Sequence, residues 1–362
     1  MSQSPLARKF FAGGNTAYGF YSLFDHIMDK KDGKFIVLKG GPGTGKSTLM
    51  QNLGNHILET GNDVEYFYCS SDSTSLDGVA APGLKFAVID GTPPHAVDLK
   101  LPGLYDEIIN LGEFWDIEKM LPFKNKLIAI NGEIKESFAA AYNYLAEAKL
   151  VLKGLEVHTS SLLNKKINHK TILHLQGRIL DDEPCRNNSS ERHLFASAIS
   201  PEGLVNYYES ILSSCCEVYL LSGVPGSGIS DYLETIYRVL HLKGLSLEVY
   251  HCALDPQKID ALVIPEKRIA IVKSTGYQTF TLASENILHR EFLSLDHPQG
   301  DSWKAGLLKD YQERFNDLLE KGIGCLKRAK ALQLEREPYY GRAMDFDRVK
   351  EVEADLIVKY LP

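Results

Sequence analysis

Phe35-Ile36-Val37-Leu38-Lys39-Gly40-Gly41-Pro42-Gly43-Thr44-Gly45-Lys46-Ser47-Thr48 joins a short apolar run to a complete G-x-x-x-x-G-K-[ST] loop. The apolar run ending in glycines predicts a buried strand. A helix is expected from about Lys46 to Glu59, stopped by Gly61. Glycines let such a loop curl until its N–H groups point at phosphate oxygens, and the N-terminus of the following helix adds its dipole. In that arrangement Lys46 bridges the β- and γ-phosphates of a nucleotide and the Ser47 hydroxyl ligates Mg²⁺. Downstream, Phe86-Ala87-Val88-Ile89-Asp90 has the form of a Walker B strand, four apolar residues followed by an acid. Ligands of open α/β sheets sit beyond that end, so Asp90 is a candidate to hold the metal's water shell. Lys46 and Asp90 are therefore the candidate catalytic charges, Ser47 and Asp90 the candidate metal ligands, and Gly40 to Thr48 the candidate phosphate cradle.

The stretch occurs twice. With a constant offset of 183, Phe35–Thr92 aligns without gaps on Val218–Thr275, and fourteen of the 58 pairs are identical. Roughly three or four are expected by chance at ordinary composition. Gly40, Pro42, Gly43, Gly45 and Ser47 match Gly223, Pro225, Gly226, Gly228 and Ser230. Cys69, Asp72 and Asp77 match Cys252, Asp255 and Asp260. Upstream the offset becomes 184 and pairs Arg8, Phe11, Ala12 and Gly19 with Arg192, Phe195, Ala196 and Gly203. The chain thus reads as a tandem duplication, residues 1–185 and 186–362, with its seam in the polar run 181–190. Each half alternates strand and helix. Strands are expected at Val64–Cys69 and Phe86–Ile89, then at Val218–Leu221, Leu247–Cys252 and Ile269–Val272, with a second helix from about Ser230 to Leu242. The fold class expected is α/β: two P-loop domains with parallel sheets. Lys124–Leu155 and Trp303–Arg336 are expected as helices packed beside each sheet.

The second copy is altered at both charged roles. Ile229 stands at the lysine position and Lys273 at the acid position, which predicts a half that keeps the fold without Mg-nucleotide chemistry. Duplication also supplies an internal control. Groups kept in both halves (Cys69/Cys252, Asp72/Asp255, Asp77/Asp260) are expected to serve the fold, the aspartates by capping turns. Groups present only in the first half, Lys46, Asp90 and His95, are candidates for chemistry. Asp106, Glu107, Glu113 and Asp116 read as solvated faces.

Composition narrows the class. Charged residues make up 24% of 362 and net charge is −7, evenly divided between the halves, which disfavours nucleic-acid binding by a basic face. No apolar run approaches a membrane span, the first residues lack a signal-peptide stretch, and six cysteines without a CxxC pair suit a reducing cytoplasm. Asn164-Lys165-Lys166-Ile167 lacks the aspartate of a guanine reader, and no glutamate follows Asp90 as a water-activating acid. No arginine lies between Arg8 and Arg178. An arginine finger for the first half must then come from Arg178, from second-half residues such as Arg238, Arg268, Arg290 or Arg342, or from another molecule, and isolated residues 1–185 are expected to bind nucleotide but turn over slowly.

The tandem loops, the repeated Phe-Ala…Gly entry segment and the Cys-x-x-Asp…[Leu/Ile]-Asp run at Cys69–Asp77 and Cys252–Asp260 resemble a bacterial family described as ATP-binding or nucleotide-kinase-related, found largely in spore-forming Gram-positive bacteria. The resemblance implies ATP at Gly40–Thr48 and cytoplasmic residence, and leaves the substrate open. The expectation is an Mg-ATP-binding protein with slow hydrolysis or phosphoryl transfer in its first half and a pseudo-enzyme second half. Its alternatives are a small-molecule or nucleotide kinase, or a non-catalytic ATP-dependent switch. Its partner would be a small molecule or a protein.

Overall fold

The computed structural model describes residues 4–28, 33–95, 101, 103–162, 190–277, 289–294 (backbone only) and 302–362, with isolated positions from 173 to 179. The proposed seam up to residue 189, Arg178 and the Asn164 run lie outside the described residues. In chain order the first half has β1 (Ala7–Phe10), β2 (Gly13–Thr16), β3 (Gly19–Ser22), β4 (Lys34–Lys39) and α1 (Lys46–Glu59). β5 (Val64–Cys69), β6 (Asp72–Ala81), β7 (Phe86–Asp90) and β8 (Asp106–Asn110) follow, then the short α2 (Ile117–Met120) and the long α3 (Lys124–Ser160). The second half has β9 (Glu191–Leu194), β10 (Ser197–Ser200), β11 (Gly203–Asn206), α4 (Tyr208–Leu212), β12 (Glu217–Gly223) and α5 (Ile229–Leu242). It continues with β13 (Leu247–His251), β14 (Ile259–Ile264), β15 (Ile269–Thr275), β16 (His289–Ser294), α6 (Ser302–Gly341) and α7 (Phe346–Tyr360).

Two six-stranded sheets share one order, β1-β5-β6-β7-β4-β8 and β9-β13-β14-β15-β12-β16. Neither is fully parallel, contrary to expectation: β6 runs antiparallel to β5 and β7, and β14 antiparallel to β13 and β15. β6 and β7 both lie between β5 and β4, so the strands flanking α1 are not neighbours. β6 escapes a reading by apolar runs because its first half, Asp72-Ser73-Thr74-Ser75, is polar and turn-like, and only its second half is buried. The hairpin from β6 to β7 passes through a 3-10 turn at Pro82–Leu84 and leaves Lys85 at φ 55°, and the second half repeats it with Arg268 at φ 57°. These are the two non-glycine residues with positive φ among the described residues.

The halves meet about a pseudo-twofold axis. Phe11 N donates to Phe195 O and Phe195 N to Phe11 O, both at 3.0 Å, so the two equivalent residues form a reciprocal antiparallel bridge. Two ion pairs cross beside it. Arg8 is bonded to Glu248 at 2.8 and 2.5 Å, and Arg192 to Glu65 at 2.8 and 2.5 Å. Arg8 lies beside its own half's Glu65 in the sheet register, as Arg192 does beside Glu248, so four equivalent charges close a buried ring. Phe10, Phe67, Leu194 and Tyr250 belong to one continuous apolar cluster. A fragment ending at residue 185 would expose that shared core.

The long helices do not each keep to their own half: α3 packs on the second half, whereas α6 holds Phe315 against Tyr277 of its own half, as expected, and only its C-terminal end reaches the Gly43 loop. α3 and α6 pack antiparallel on each other: Lys126 pairs with Glu335, Glu133 with Arg328, and Gly154 lies under the Tyr311 ring. α3 buries Leu145, Leu152 and Leu155 in a cluster with Ile199, Cys252 and Leu254 of the second half. α7, which apolar periodicity did not single out, sends Val349 and Leu356 into the apolar cluster beneath α1.

Burial alone would raise the Glu248 carboxyl pKa, but Arg8 and Arg192 overcome it and hold it below the ordinary glutamate range. The stability this group contributes is present above the unfolded glutamate pKa and is lost as pH falls through the folded value. Arg192→Met leaves Glu65 with only the 3.5 Å contact to Arg8 in place of its bidentate partner, and losing one partner of a buried pair costs about 3–5 kcal/mol. We expect a lower urea midpoint and an acid-unfolding transition shifted to higher pH, both read by circular dichroism. An unchanged midpoint would remove the ring from the account of stability.

Candidate functional site

The Gly40–Ser47 loop joins β4 to α1, and its shape depends on glycine. Gly43 and Gly45 sit at φ 68° and 81°, and their equivalents Gly226 and Gly228 at 88° and 90°, a region that side chains avoid. Gly45 is the N-cap of α1 and no side chain caps that end, so its first N–H groups face the loop, where an anion is favoured. Lys46 Nζ donates to Gly40 O and Gly41 O at 2.8 Å and stands 3.6 Å from Asp90 Oδ2. Burial lowers its pKa, against the pull of Asp90. Asp90 Oδ1 accepts from Thr92 N at 2.8 Å, and Thr92 Oγ1 donates to Gly40 O at 2.6 Å, which ties the end of β7 to the loop. Thr44 is buried and bonded to Gly41 O, Ser47 Oγ accepts from Leu76 N at 2.9 Å, Pro42 is half-buried and Thr48 is exposed on the first turn of α1. The fold thus gathers Lys46, Ser47 and Asp90 at one end of the sheet.

Sequence reasoning missed what covers this loop. A Cβ on Gly43 would stand 3.1 Å from Glu337 O and 3.2 Å from Gly341 N, both from α6 of the other half. One on Gly45 would meet the Phe346 ring at 3.5 Å, and one on Gly41 the Trp115 ring at 2.8 Å. Beside the loop a cleft of about 550 Å³ is lined by Trp115, Asp116, Met344, Phe346 and Arg348. Among the candidate arginines, Arg342 directly follows Gly341 at the loop and is exposed. Arg238 pairs with Glu234 on α5, Arg268 donates to Ser214 O, and the Arg290 side chain is outside the described residues.

The second loop is covered reciprocally. A Cβ on Gly226 would fall 2.3 Å from Glu156 O of α3, and a cleft of about 420 Å³ runs between α3 and residues 224–231. Its charges differ as expected and are resolved internally. Ile229 is buried in the apolar cluster beneath α5, and Lys273 makes a 2.6 Å ion pair with the fully buried Asp260. Lys273 Nζ also reaches Ser230 Oγ at 3.5 Å.

Asp77 and Asp260 therefore do not cap turns, contrary to expectation; both are buried within strands. Asp72 does bind its turn, accepting from Thr74 N and Ser75 Oγ. Asp106 is likewise buried rather than solvated and accepts from Leu101 N at 2.8 Å. Burial pushes the Asp77 carboxyl up to about 6, with His95 pulling it down and Asp90 adding to the rise. The His95 ring lies between Phe20 and Phe24 with Nδ1 3.5 Å from Asp77 Oδ2. Burial and Asp77 together raise the Cys69 thiol.

Compared with known families, the chain matches the one described as Nephrocystin 3, N-terminal, over residues 22–81, sixty of 362. That segment holds β4, the glycine loop, α1, β5 and β6. No curated protein and no solved structure matches the chain. None of these findings reaches the bacterial ATP-binding family that the sequence resembles.

Ile229→Lys would replace a buried apolar side chain of this cluster by a cation, and where Lys46 has Asp90 beside it the second half has another cation, Lys273. Burying an unpaired charge is costly, and we expect a loss of at least ~2 kcal/mol in urea unfolding. Wild-type stability would show that the copy can accept the missing lysine.

Proposed function

We propose that the first half is a P-loop NTPase module binding Mg-ATP at Gly40–Thr48, and that the second half is a degenerate copy of the same fold that completes and covers this site. The observation that carries the reading is Lys46 held 3.6 Å from Asp90 across a loop with two left-handed glycines. Bound phosphates would draw Lys46 Nζ off the Gly40 and Gly41 carbonyls, which are weaker partners than a phosphate oxygen. Ser47 and Asp90 would hold Mg²⁺, which neutralises the phosphates, while the first turn of α1 supplies N–H donors. The cleft beside the loop, with Trp115 and Arg348, is of a size to receive the nucleoside. The chemistry that fits is slow ATP hydrolysis or phosphoryl transfer to a small-molecule or protein acceptor in the cytoplasm. No described helix is long and apolar enough to cross a membrane.

A second reading, the ATP-dependent switch, is favoured by one observation: the glycine loop is in contact with α6 and α7 of the other half. Multiple turnover releasing phosphate supports the hydrolase; tight binding without turnover supports the switch; turnover only with an added acceptor supports the kinase.

Wild-type protein is expected to take up one equivalent of Mg-ATP in calorimetry and Lys46→Ala to lose most of that binding, with Asp90→Asn mainly weakening the dependence on Mg²⁺. Two equivalents, or full affinity in the lysine variant, would overturn the assignment. Trp115 fluorescence should report occupancy, since Trp303, the second of two tryptophans, is exposed at the far end of α6. If there is turnover, Arg342→Ala should slow it by roughly 10²-fold or more with little change in affinity, as for an arginine finger. Equal rates would show that the arginine lies elsewhere.

A further inference from the structure

We propose that Cys69, Asp77 and His95 form a binding site for a zinc-class dication, distinct from a nucleotide's magnesium. Three elements bring the donors together. Cys69 ends β5, where the register shifts on either side of Tyr68, and such bulges re-aim side chains. Asp77 lies in β6, and His95 follows β7 in a turn closed by His95 N donating to Thr92 O at 2.9 Å. Their ligating atoms all lie within 4.8 Å of one another.

The Cys69 thiol is bonded within the cluster to Asp77 and to the backbone of Ser71 and Asp72, but two of the donor atoms are unused. Asp77 Oδ2 and His95 Nδ1 are buried and neither has a hydrogen-bond partner, although they face each other at 3.5 Å. That separation is long for a hydrogen bond. It matches the spacing of ligands around one tetrahedral ion, where bonds of 2.0–2.3 Å put donors roughly 3.3–3.8 Å apart.

The second half shows what the same scaffold does without such an ion. There Asp260 has Lys273 and the Cys252 thiol has the Tyr277 hydroxyl at 3.2 Å. The corresponding first-half residues are Asp90, an anion, and Pro94, which has no donor. The copy carries its cation as a lysine, whereas the first half leaves the carboxylate and thiol to a cation from outside. Its nearest built-in cation, Lys46, is bonded to the loop carbonyls.

A thiolate and an imidazole beside a carboxylate favour zinc-class ions over magnesium, which takes oxygen ligands. Three protein donors leave one position of a tetrahedron for water or substrate. The inference does not depend on nucleotide binding.

The test uses the full chain, chelator-treated and without nucleotide. Co²⁺ titration should give a thiolate charge-transfer band in the near ultraviolet saturating at one equivalent, and Zn²⁺ should displace it stoichiometrically. Cys69→Ser should abolish the band, and His95→Gln, which copies Gln278 of the second half, should weaken binding by tenfold or more. Cys252→Ser, with near-wild-type circular dichroism, should leave both intact. A folded wild type without the band, an unchanged band in Cys69→Ser, or displacement of Co²⁺ by millimolar Mg²⁺ would each overturn the proposal. Should Cys69→Ser fail to fold, wild-type zinc affinity in folded His95→Gln would do the same.

Discussion

The crossed ion pairs around the Phe11–Phe195 bridge fix how every other element is placed. Arg8 and Glu248 come from different halves, as do Arg192 and Glu65, so the shortest, bidentate partner of each charge lies in the other half. Isolated buried charges are costly, and the ring is stable because each carboxylate is held by a bidentate guanidinium. With the two sheets fixed edge to edge, Phe10, Phe67 and Tyr250 stack into one core. The long helices can then cross from one half to the other.

That crossing separates what each half encodes from what it uses. The first half encodes a glycine loop with a lysine and an acid, but the backbone pressed against Gly43 belongs to α6. The second half encodes a loop without those charges and receives Glu156 of α3 against Gly226. The second loop lacks those charges and shares the glycine geometry: at Gly226 the close approach of α3 leaves no room for a Cβ, and at Gly228 the left-handed φ alone favours glycine.

Much of this was legible in the sequence, for physical reasons. Glycine spacing and a following helix specify a loop locally, so α1 spans Lys46–Glu59 as expected and β5 Val64–Cys69. The repeated strand order of the two sheets was legible because the two stretches resemble each other within one chain. β6 was not, since a polar start hides a strand whose burial is decided by its neighbours. Nor were the buried roles of Asp77, Asp106 and Asp260, because an aspartate in a strand and one in a turn look alike until the sheet is assembled. The helix exchange could not be read either: amphipathic periodicity shows that α3 has an apolar face, not whose core it will cover.

The antiparallel pair of α3 and α6 has a mechanical consequence. At 1.5 Å per residue the 37 residues of α3 make a rod about 55 Å long. One end of the pair rests on Gly226 and the other on Gly43. A rod that pivots about its middle by about 5° carries each tip roughly 2 Å in opposite senses, given that length. The two glycine loops therefore lie against opposite ends of one helix pair, so a rigid displacement of that pair would alter the cover of both. Helical phase constrains the same rod: a single residue inserted in α6 before Glu337 turns everything beyond it by about 100°. The length of a segment with no charged role in either site is thereby as tightly bound as the loops themselves.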